Sequence, residues 1–487
     1  MQKGIVNIMQ IALVGSRQPW RLLATLIFCL LVGIVGGAIL ALLTPIYTAA
    51  LVVALVGGML MLQDTQWGLI AVIAIICLLP FAAVPLNMGF EPTFLDLALV
   101  ATFFVWLARI ATRRQGPLIG SELALPIIAF VAIIITSFIA GLAHASITLT
   151  LLRRFAELLL GVLTFFLVIN CVRTRVQLRQ IVLVLILAGF AAALVGIVLY
   201  VLPEEWAVRA LSALRVVRYP AGSGVLRYVE DNPDLPLRAI STSQDPNVLG
   251  GLLILVTGLT VPQLFSQQPL LSRKYLAVMV GVMFICLVLT YSRGAMAGLA
   301  VGLLAISVLR YRRLGWLILA GAVLFLLLPQ TQAYVERFSE GVQGDDLATQ
   351  MRFGEYRDAI TLILRHPWLG VGFAGVPEIY LYLGVSNVYL LIGEETGLIG
   401  LGSFLLIIAV LLARMWRARQ AARSDPSLDA IFWGLSAALL GALAGGVLDH
   451  YFFNMAFPHA ATLFWMYIGL AVVTMRLAES AEPARAV

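Results

Sequence analysis

The sequence predicts an all-α fold, a polytopic bundle of transmembrane helices with a long, partly helical loop facing outward. Three observations carry this. Of 487 residues, 61% are hydrophobic and 12% charged, with a mean hydropathy of +1.00, whereas soluble domains run to roughly 45–50% apolar and about 25% charged residues. The apolar residues come in continuous runs of roughly 20, the length of a helix that crosses a bilayer, and do not alternate as in a β-barrel strand. The basic residues, all arginine except Lys3 and Lys274, lie in short loops between the runs. This composition excludes a soluble enzyme and a disordered chain. The scattered arginines exclude the clustered basic face of a nucleic-acid-binding protein.

The spans are expected at 22–44, 46–62, 67–84, 94–111, 123–143, 154–172, 180–201, 246–265, 274–291, 294–310, 314–330, 387–413, 429–448 and 459–476. Two are short or interrupted, which gives about 12–14 crossings. The first run follows Lys3, Arg17 and Arg21. It is too long for a signal-peptide core and lacks a small-residue cleavage site, so it reads as an uncleaved span. With the N-terminus in the cytoplasm, the clusters Arg109–Arg114, Arg173–Arg179, Arg273–Lys274, Arg310–Arg313 and Arg414–Arg423, with Arg476 and Arg485, fall on one side, as the positive-inside rule requires. Both termini are then cytoplasmic, and loops 203–245 and 331–386 face the periplasm or exterior of a bacterial inner membrane. The organisation follows: residues 1–150 are N-terminal transmembrane helices, 151–476 a core including both loops, and 477–487 a cytoplasmic tail. Cys29, Cys77, Cys171 and Cys286 lie in or beside apolar runs and show neither metal nor disulfide spacing. No phosphate-binding P-loop motif is present, so any chemistry is expected at the outer face without ATP. No cofactor and no metal are expected.

An ionisable residue within a span costs a few kcal/mol or more and is a functional hypothesis by default. Five such places stand out. Arg293, in Tyr291-Ser292-Arg293-Gly294-Ala295, has almost no loop around it, and the small residues after it allow another helix to approach closely. Arg238 precedes a polar stretch ending in Pro246-Asn247, a helix start whose free N–H groups suit an anion. Residues 347–365 read as an amphipathic helix, with Leu347, Met351, Ala359, Leu362 and Ile363 on or near one face and Arg352 and Tyr356 four apart. It closes on His366-Pro367-Trp368-Leu369-Gly370-Val371-Gly372, and it can lie in the interface as a lid. Asn387 is followed about two turns into a span by Glu394 and Glu395. Asp449-His450-Tyr451 ends the run at 429–448, either as a proton relay or as a polar turn. Each place also has a plain structural reading, as a snorkelling arginine, a helix start or a solvated helix mouth. Together they suit phosphate chemistry. Arginine grips phosphate oxygens bidentately and stabilises a departing pyrophosphate, while a carboxylate or imidazole takes the proton of an attacking hydroxyl.

In order and spacing these segments, from about residue 150 to 476, resemble the O-antigen ligase / O-antigen polymerase superfamily of bacterial envelope proteins. The resemblance rests on Arg238 with Pro246-Asn247, Ser292-Arg293-Gly294-Ala295, Arg352 with Pro367-Trp368-Leu369-Gly370-Val371-Gly372, Asn387-Val388-Tyr389-Leu390 with Glu395-Thr396-Gly397-Leu398-Ile399-Gly400, and Asp449-His450. It implies a metal-independent, inverting glycosyltransferase acting in lipopolysaccharide or exopolysaccharide biosynthesis. Such a protein takes a glycan from undecaprenyl pyrophosphate and passes it to a lipid-linked glycan, a lipid core or another acceptor. It also implies that Arg238, Arg293 and Arg352 hold the pyrophosphate; Tyr356 and Asn387 are read as binding residues beside them, and Arg153 and Arg154, which begin a span from the outer side, as contacts for lipid phosphate. Members usually carry His, the favoured general base, directly before the Asn matched by Asn387. Ser386 stands there in this chain, and a hydroxyl is a poor base. Glu395 is then the preferred base or acceptor-orienting group, with Glu394 and His450 as the other candidates and Arg293 stabilising the leaving group. His366, His144 and His459 rank lower. The same spans and arginines are open to two other readings: a secondary transporter or flippase for an anionic or lipid-linked glycan, and an inactive envelope scaffold. One-sided clustering of charge separates the first of these from the transferase, because alternating access wants polar groups near the midplane.

Overall fold

The computed structural model describes residues 30, 55–85, 89–143, 146–327, 332, 347–374 and 385–480. His144, most of the predicted spans 22–44 and 46–62, the rest of loop 331–386 and residues 481–487 lie outside them. The chain divides into two compact units, Met1–Asp64 and Thr65–Val487. In the first, Leu30 and residues 55–63 are helical. In the second, helices are joined by turns and irregular loops, and the β-structure among the described residues is two isolated bridges, Ala83 with Thr93 and Tyr228 with Leu237.

Its helices follow the predicted runs: α1 (Gln66–Leu78), α2 (Phe94–Ala111), α3 (Ala124–Gly141), α4 (Leu149–Cys171), α5 (Arg175–Val201), α6 (Glu204–Ala213), α7 (Pro246–Thr260), α8 (Arg273–Leu289), α9 (Arg293–Leu309), α10 (Arg312–Leu327), α11 (Leu347–Arg365), α12 (Val388–Ser424), α13 (Asp429–Gly445) and α14 (Pro458–Glu479). Among the described residues six stretches, including α2, α3, α5, α12 and α14, are long and apolar enough to cross a membrane, and α1, α9 and α13 are shorter apolar helices. The differences from expectation have local causes. Pro80 lies just past the end of α1, beyond which the chain cannot continue in helix. Past Thr260 the backbone tightens to a 3-10 turn around Pro262. The arginine-rich segment after residue 413 simply prolongs α12 beyond the apolar run. Capping boxes at Thr93/Asp96 and Thr174/Gln177 fix the starts of α2 and α5.

The centre of the unit is built from α7, α13 and α14. In the span formed by α7 and its 3-10 extension 89% of the apolar window is buried, against 33% in α2 and in α3. Side chains such as Phe104 and Leu125 of those outer helices stay exposed, as lipid-facing positions do. Close approach of backbones holds the centre together. A Cβ on Gly302 of α9 would lie 2.2 Å from the Ala437 carbonyl of α13, and one on Gly298 would lie 2.6 Å from that of Gly441. Gly258 of α7 meets Ala438 in the same way. The small residues read from the sequence after Arg293 are therefore the surface on which α9 lies against α13. This contact sets the N-termini of α7 and α9 beside the C-terminus of α13, at the end assigned by the charge pattern to the outside.

At the opposite end, the basic loops find acidic caps. Arg310 makes a two-pronged bond to Asp429 at 3.2 and 3.0 Å, and Arg175 meets Asp425 at 2.7 Å. Two of the arginines that satisfy the topology rule, Arg175 and Arg310, are thus committed to structure.

Candidate active site

The site grows from three helix starts and one helix end. Asp245 caps α7, accepting from the N–H groups of Asn247 and Val248, with Pro246 in the first turn. Ser292 caps α9 by accepting from Ala295 N–H. Asn387 caps α12, its side-chain oxygen accepting from Tyr389 and Leu390 N–H. The end of α13 closes the ring, because Val388 N–H donates to the carbonyls of Gly446 and Asp449 at 2.8 and 3.1 Å.

Arg238 is fastened at both ends. Its Nε donates to the Thr290 carbonyl at 2.8 Å and its terminal nitrogen to Asn247 Oδ1 at 2.8 Å. It feels the charges of Asp245, Asp449, Asp231 and Arg352. Arg352, half-buried on α11, also acts on Asp449, Tyr356 and Tyr451. Tyr356, one turn on from Arg352, bonds Val447, so α11 lies against the turn after α13. Arg293 is half-buried at the start of α9, next to Gly294, where an added Cβ would lie 3.1 Å from Leu448 Cβ.

Asp449 is the buried acid of the cluster, 5% exposed. Burial pushes its carboxyl up from 3.8 to about 6, with Asp245 adding to the shift and His450 and Arg352 opposing it. Its Oδ1 accepts from the His450 backbone N–H at 2.9 Å and lies 3.4 Å from His450 Nδ1. Among the described residues, His450 Nδ1 and the hydroxyl of the buried Tyr451 have no hydrogen-bond partner. A cluster of arginines beside a buried carboxylate, an imidazole and a phenol can hold an anion and accept a proton next to it.

The other predicted site residues sit differently. Asn387 is occupied: its amide nitrogen donates to the Val447 carbonyl at 2.8 Å while its oxygen caps α12. The Tyr356 hydroxyl donates toward the carbonyls of Ser386 and Val447, at 3.2 and 3.0 Å, and burial raises its pKa. Ser386 presents its backbone N–H to Glu355 at 2.9 Å. These residues tie α11, α12 and α13 together around the site. Glu395 lies eight residues below the Asn387 cap, about 12 Å along the axis at 1.5 Å per residue, and its Oε2 is buried without a hydrogen-bond partner among the described residues. There α12 is broken, with Gly397 at φ 68° and ψ −174°. The turn Pro367–Gly372 is laced into the break: Val371 N–H donates to Glu394 O, Gly372 N–H to Glu395 O, and Leu398 N–H to Pro367 O, at 2.8, 3.0 and 2.7 Å. The two glycine-rich motifs noted in the sequence are thus partners of each other. Helix α11 matches its predicted bounds, with Ala359, Leu362 and Ile363 buried, but Met351 is exposed rather than on that face. The Leu347 side chain lies outside the described set.

Arg153 is held elsewhere. Its guanidinium pairs with Asp96 at 2.8 Å and Glu157 at 3.0 Å, and Thr93 donates to Glu157. The neighbouring Arg154 is exposed. Sequence reading missed Asp96 and Glu157, which lie within apolar runs facing this arginine. Arg153→Met leaves two carboxylates without their cation. It is expected to destabilise the protein by about 3–5 kcal/mol in thermal unfolding, whereas Arg154→Ala leaves the melting temperature unchanged. Turnover per folded molecule that survives in Arg153→Met separates this structural role from lipid-phosphate binding.

The fold and site define a multi-pass, all-helical membrane protein with a buried polar cluster at one end of the bundle. Residues 278–405, which hold α9, α11 and the broken part of α12, match a family model described as O-Antigen ligase. The matched stretch is about a quarter of the chain and holds the motifs from Arg293 to Gly400 on which the resemblance rests. A 93-residue stretch is also 36% identical to the "Undecaprenyl-diphosphatase" of Rhodopseudomonas palustris (strain BisB18). The match covers 18% of this chain and 34% of that protein, so the chain spans about a third of the curated relative's length.

Proposed function

We propose that this protein transfers a glycan from undecaprenyl pyrophosphate to a lipid-linked glycan, lipid core or other acceptor at the outer face of the bacterial inner membrane, with both termini cytoplasmic. The observation that carries the reading is the convergence of Arg238, Arg352, Asp449 and His450 at one end of the bundle. The local likeness to a protein named for undecaprenyl diphosphate supports the donor class.

In this reading Arg352 and Arg293 grip the pyrophosphate, with Arg238 behind them, and neutralise the charge that grows as the sugar–oxygen bond breaks. Asp449 with His450 takes the proton of the acceptor hydroxyl. This is the position the geometry favours over Glu395, which lies at the helix break away from the cap. Attack by the hydroxyl opposite the departing pyrophosphate inverts the anomeric carbon, and no metal is needed. Tyr356 and Asn387 position α11 and α12 and do not touch the donor. Polar groups gathered at one end favour transfer over alternating access.

The test is acceptor-dependent release of undecaprenyl pyrophosphate from a lipid-linked oligosaccharide by the purified protein, with EDTA added. Release that persists in EDTA supports the reading; ladders of product mark a polymerase and a single shifted acceptor a ligase. Inorganic phosphate liberated from undecaprenyl diphosphate, without acceptor, would indicate hydrolysis instead. A pH profile checks the base. The carboxylate form of Asp449 is the active one, so kcat/KM is expected to rise about tenfold per pH unit below about 6 and level off above. Asp449→Asn should remove this limb together with most of the activity, while Glu395→Gln keeps the limb.

A further inference from the structure

A second polar site lies at the inner end, on helices that the proposed transfer does not use there. A cavity of about 460 Å³ opens between the start of α3 and the later turns of α12 and α14, within the roughly 300–1,000 Å³ range of small-ligand sites. One wall is apolar, with Leu123, Val472 and Met475; the other carries Arg414 and Arg476 with Glu122 and Glu479.

The charges do not balance. Arg414 bridges Glu122 and Glu479, and Arg417 also bonds Glu122, so these two arginines and two glutamates cancel. Arg476 meets no carboxylate among the described residues; its terminal nitrogens donate to the carbonyls of Ile169 and Val172 at 2.9 and 2.8 Å. Arg173, close enough for the two charges to repel, likewise spends its donors on the carbonyls of Asn170, Gly116 and Pro117. A carbonyl satisfies a donor without cancelling its charge, so two cations remain in excess at a half-buried place.

We propose that this cavity binds a phosphate ester, with the phosphate on Arg476 and apolar substituents against Val472 and Met475. The amphipathic lining, at the level where spans end, fits the headgroup of an anionic phospholipid; free phosphate shares the recognising chemistry. Basic pockets between helices at the inner interface recognise such headgroups elsewhere.

The full-length protein in neutral-lipid nanodiscs, titrated with phosphatidylglycerol or with inorganic phosphate, tests this. Expected is saturable retention of phosphatidylglycerol over phosphatidylcholine, with affinity falling about tenfold in Arg476→Gln, the loss of one charge-assisted bond. Gly120 lines the cavity, and a Cβ there meets no atom within 4 Å. Gly120→Phe therefore narrows the site without altering an arginine and should give the same loss at an unchanged melting temperature. Displacement of the lipid by millimolar inorganic phosphate would assign the phosphate alone as the determinant, and undiminished lipid binding in its presence the whole headgroup. Equal retention of the two lipids with no phosphate binding, or retention unchanged in both variants, overturns the proposal.

Discussion

Arg352→Ala is expected to reduce release of undecaprenyl pyrophosphate by about 10²–10³-fold, the scale of removing one preorganised donor from a developing anion, with little change in melting temperature. The contrast with Arg238 makes the case. Arg238 donates to Thr290 O and Asn247 Oδ1, so Arg238→Ala loses a clasp between the α8 end and the α7 start as well as a charge, and stability should fall with activity. Arg352 stands on the half-buried side of α11, where it acts on Asp449, Tyr356, Tyr451 and Arg238. Its removal takes charge from the site while Tyr356 still ties α11 to Ser386 and Val447. Arg352→Lys should recover part of the rate, because an ammonium supplies the charge but lacks the planar fork that meets two phosphate oxygens. The loss is expected mainly in kcat, since the charge it meets is greatest as the pyrophosphate departs. An Arg352→Ala protein with unchanged release would detach α11 from the chemistry.

Whatever depends on one segment's own periodicity was legible in the sequence. The bounds of α11, the small-residue face after Arg293 and the segregation of arginines all follow from local pattern. The roles of Asn387 and Arg153 do not. Asn387 reads as a binding residue or as part of a solvated helix mouth until Val447 is seen to take its amide. Arg153 reads as a free basic residue until Asp96 and Glu157, 57 residues before it and four after, converge on it. Cross-chain pairing of this kind leaves no period in the sequence. Likewise, Ser386 drew attention for the imidazole it lacks, while the acid that the fold gathers with the arginines is Asp449, far along the chain. Motif order runs through both; packing sets Asp449 near the arginines and Glu395 at the helix break.

Gly397→Ala is expected to be among the most destabilising single changes in the chain, by more than about 4 kcal/mol, seen as loss of folded protein in detergent or a large fall in melting temperature. Two effects coincide. Gly397 sits at φ 68° and ψ −174°, a region that is essentially restricted to glycine. Its added Cβ would also lie 2.3 Å from the Trp368 carbonyl oxygen and 2.6 Å from Leu369 N, and backbone atoms cannot rotate aside. Both arise from one device. A helix broken inside an apolar span must find new partners for its freed backbone groups, and the turn at 367–372 supplies them through Leu398, Glu394 and Glu395, with Ser137 of α3 bonding the Leu369 and Glu395 carbonyls. Gly370, at φ 68°, fits against Glu394 O from the other side. Gly402 is the control, on the same helix with nothing within 4 Å of its Cβ; Gly402→Ala should leave stability unchanged or slightly raised through helix propensity. A Gly397→Ala protein as stable as the Gly402→Ala protein would show that the break is not held by this turn. Loss confined to the Gly397 variant would instead make the break the element that fixes α11, and with it Arg352, over the site.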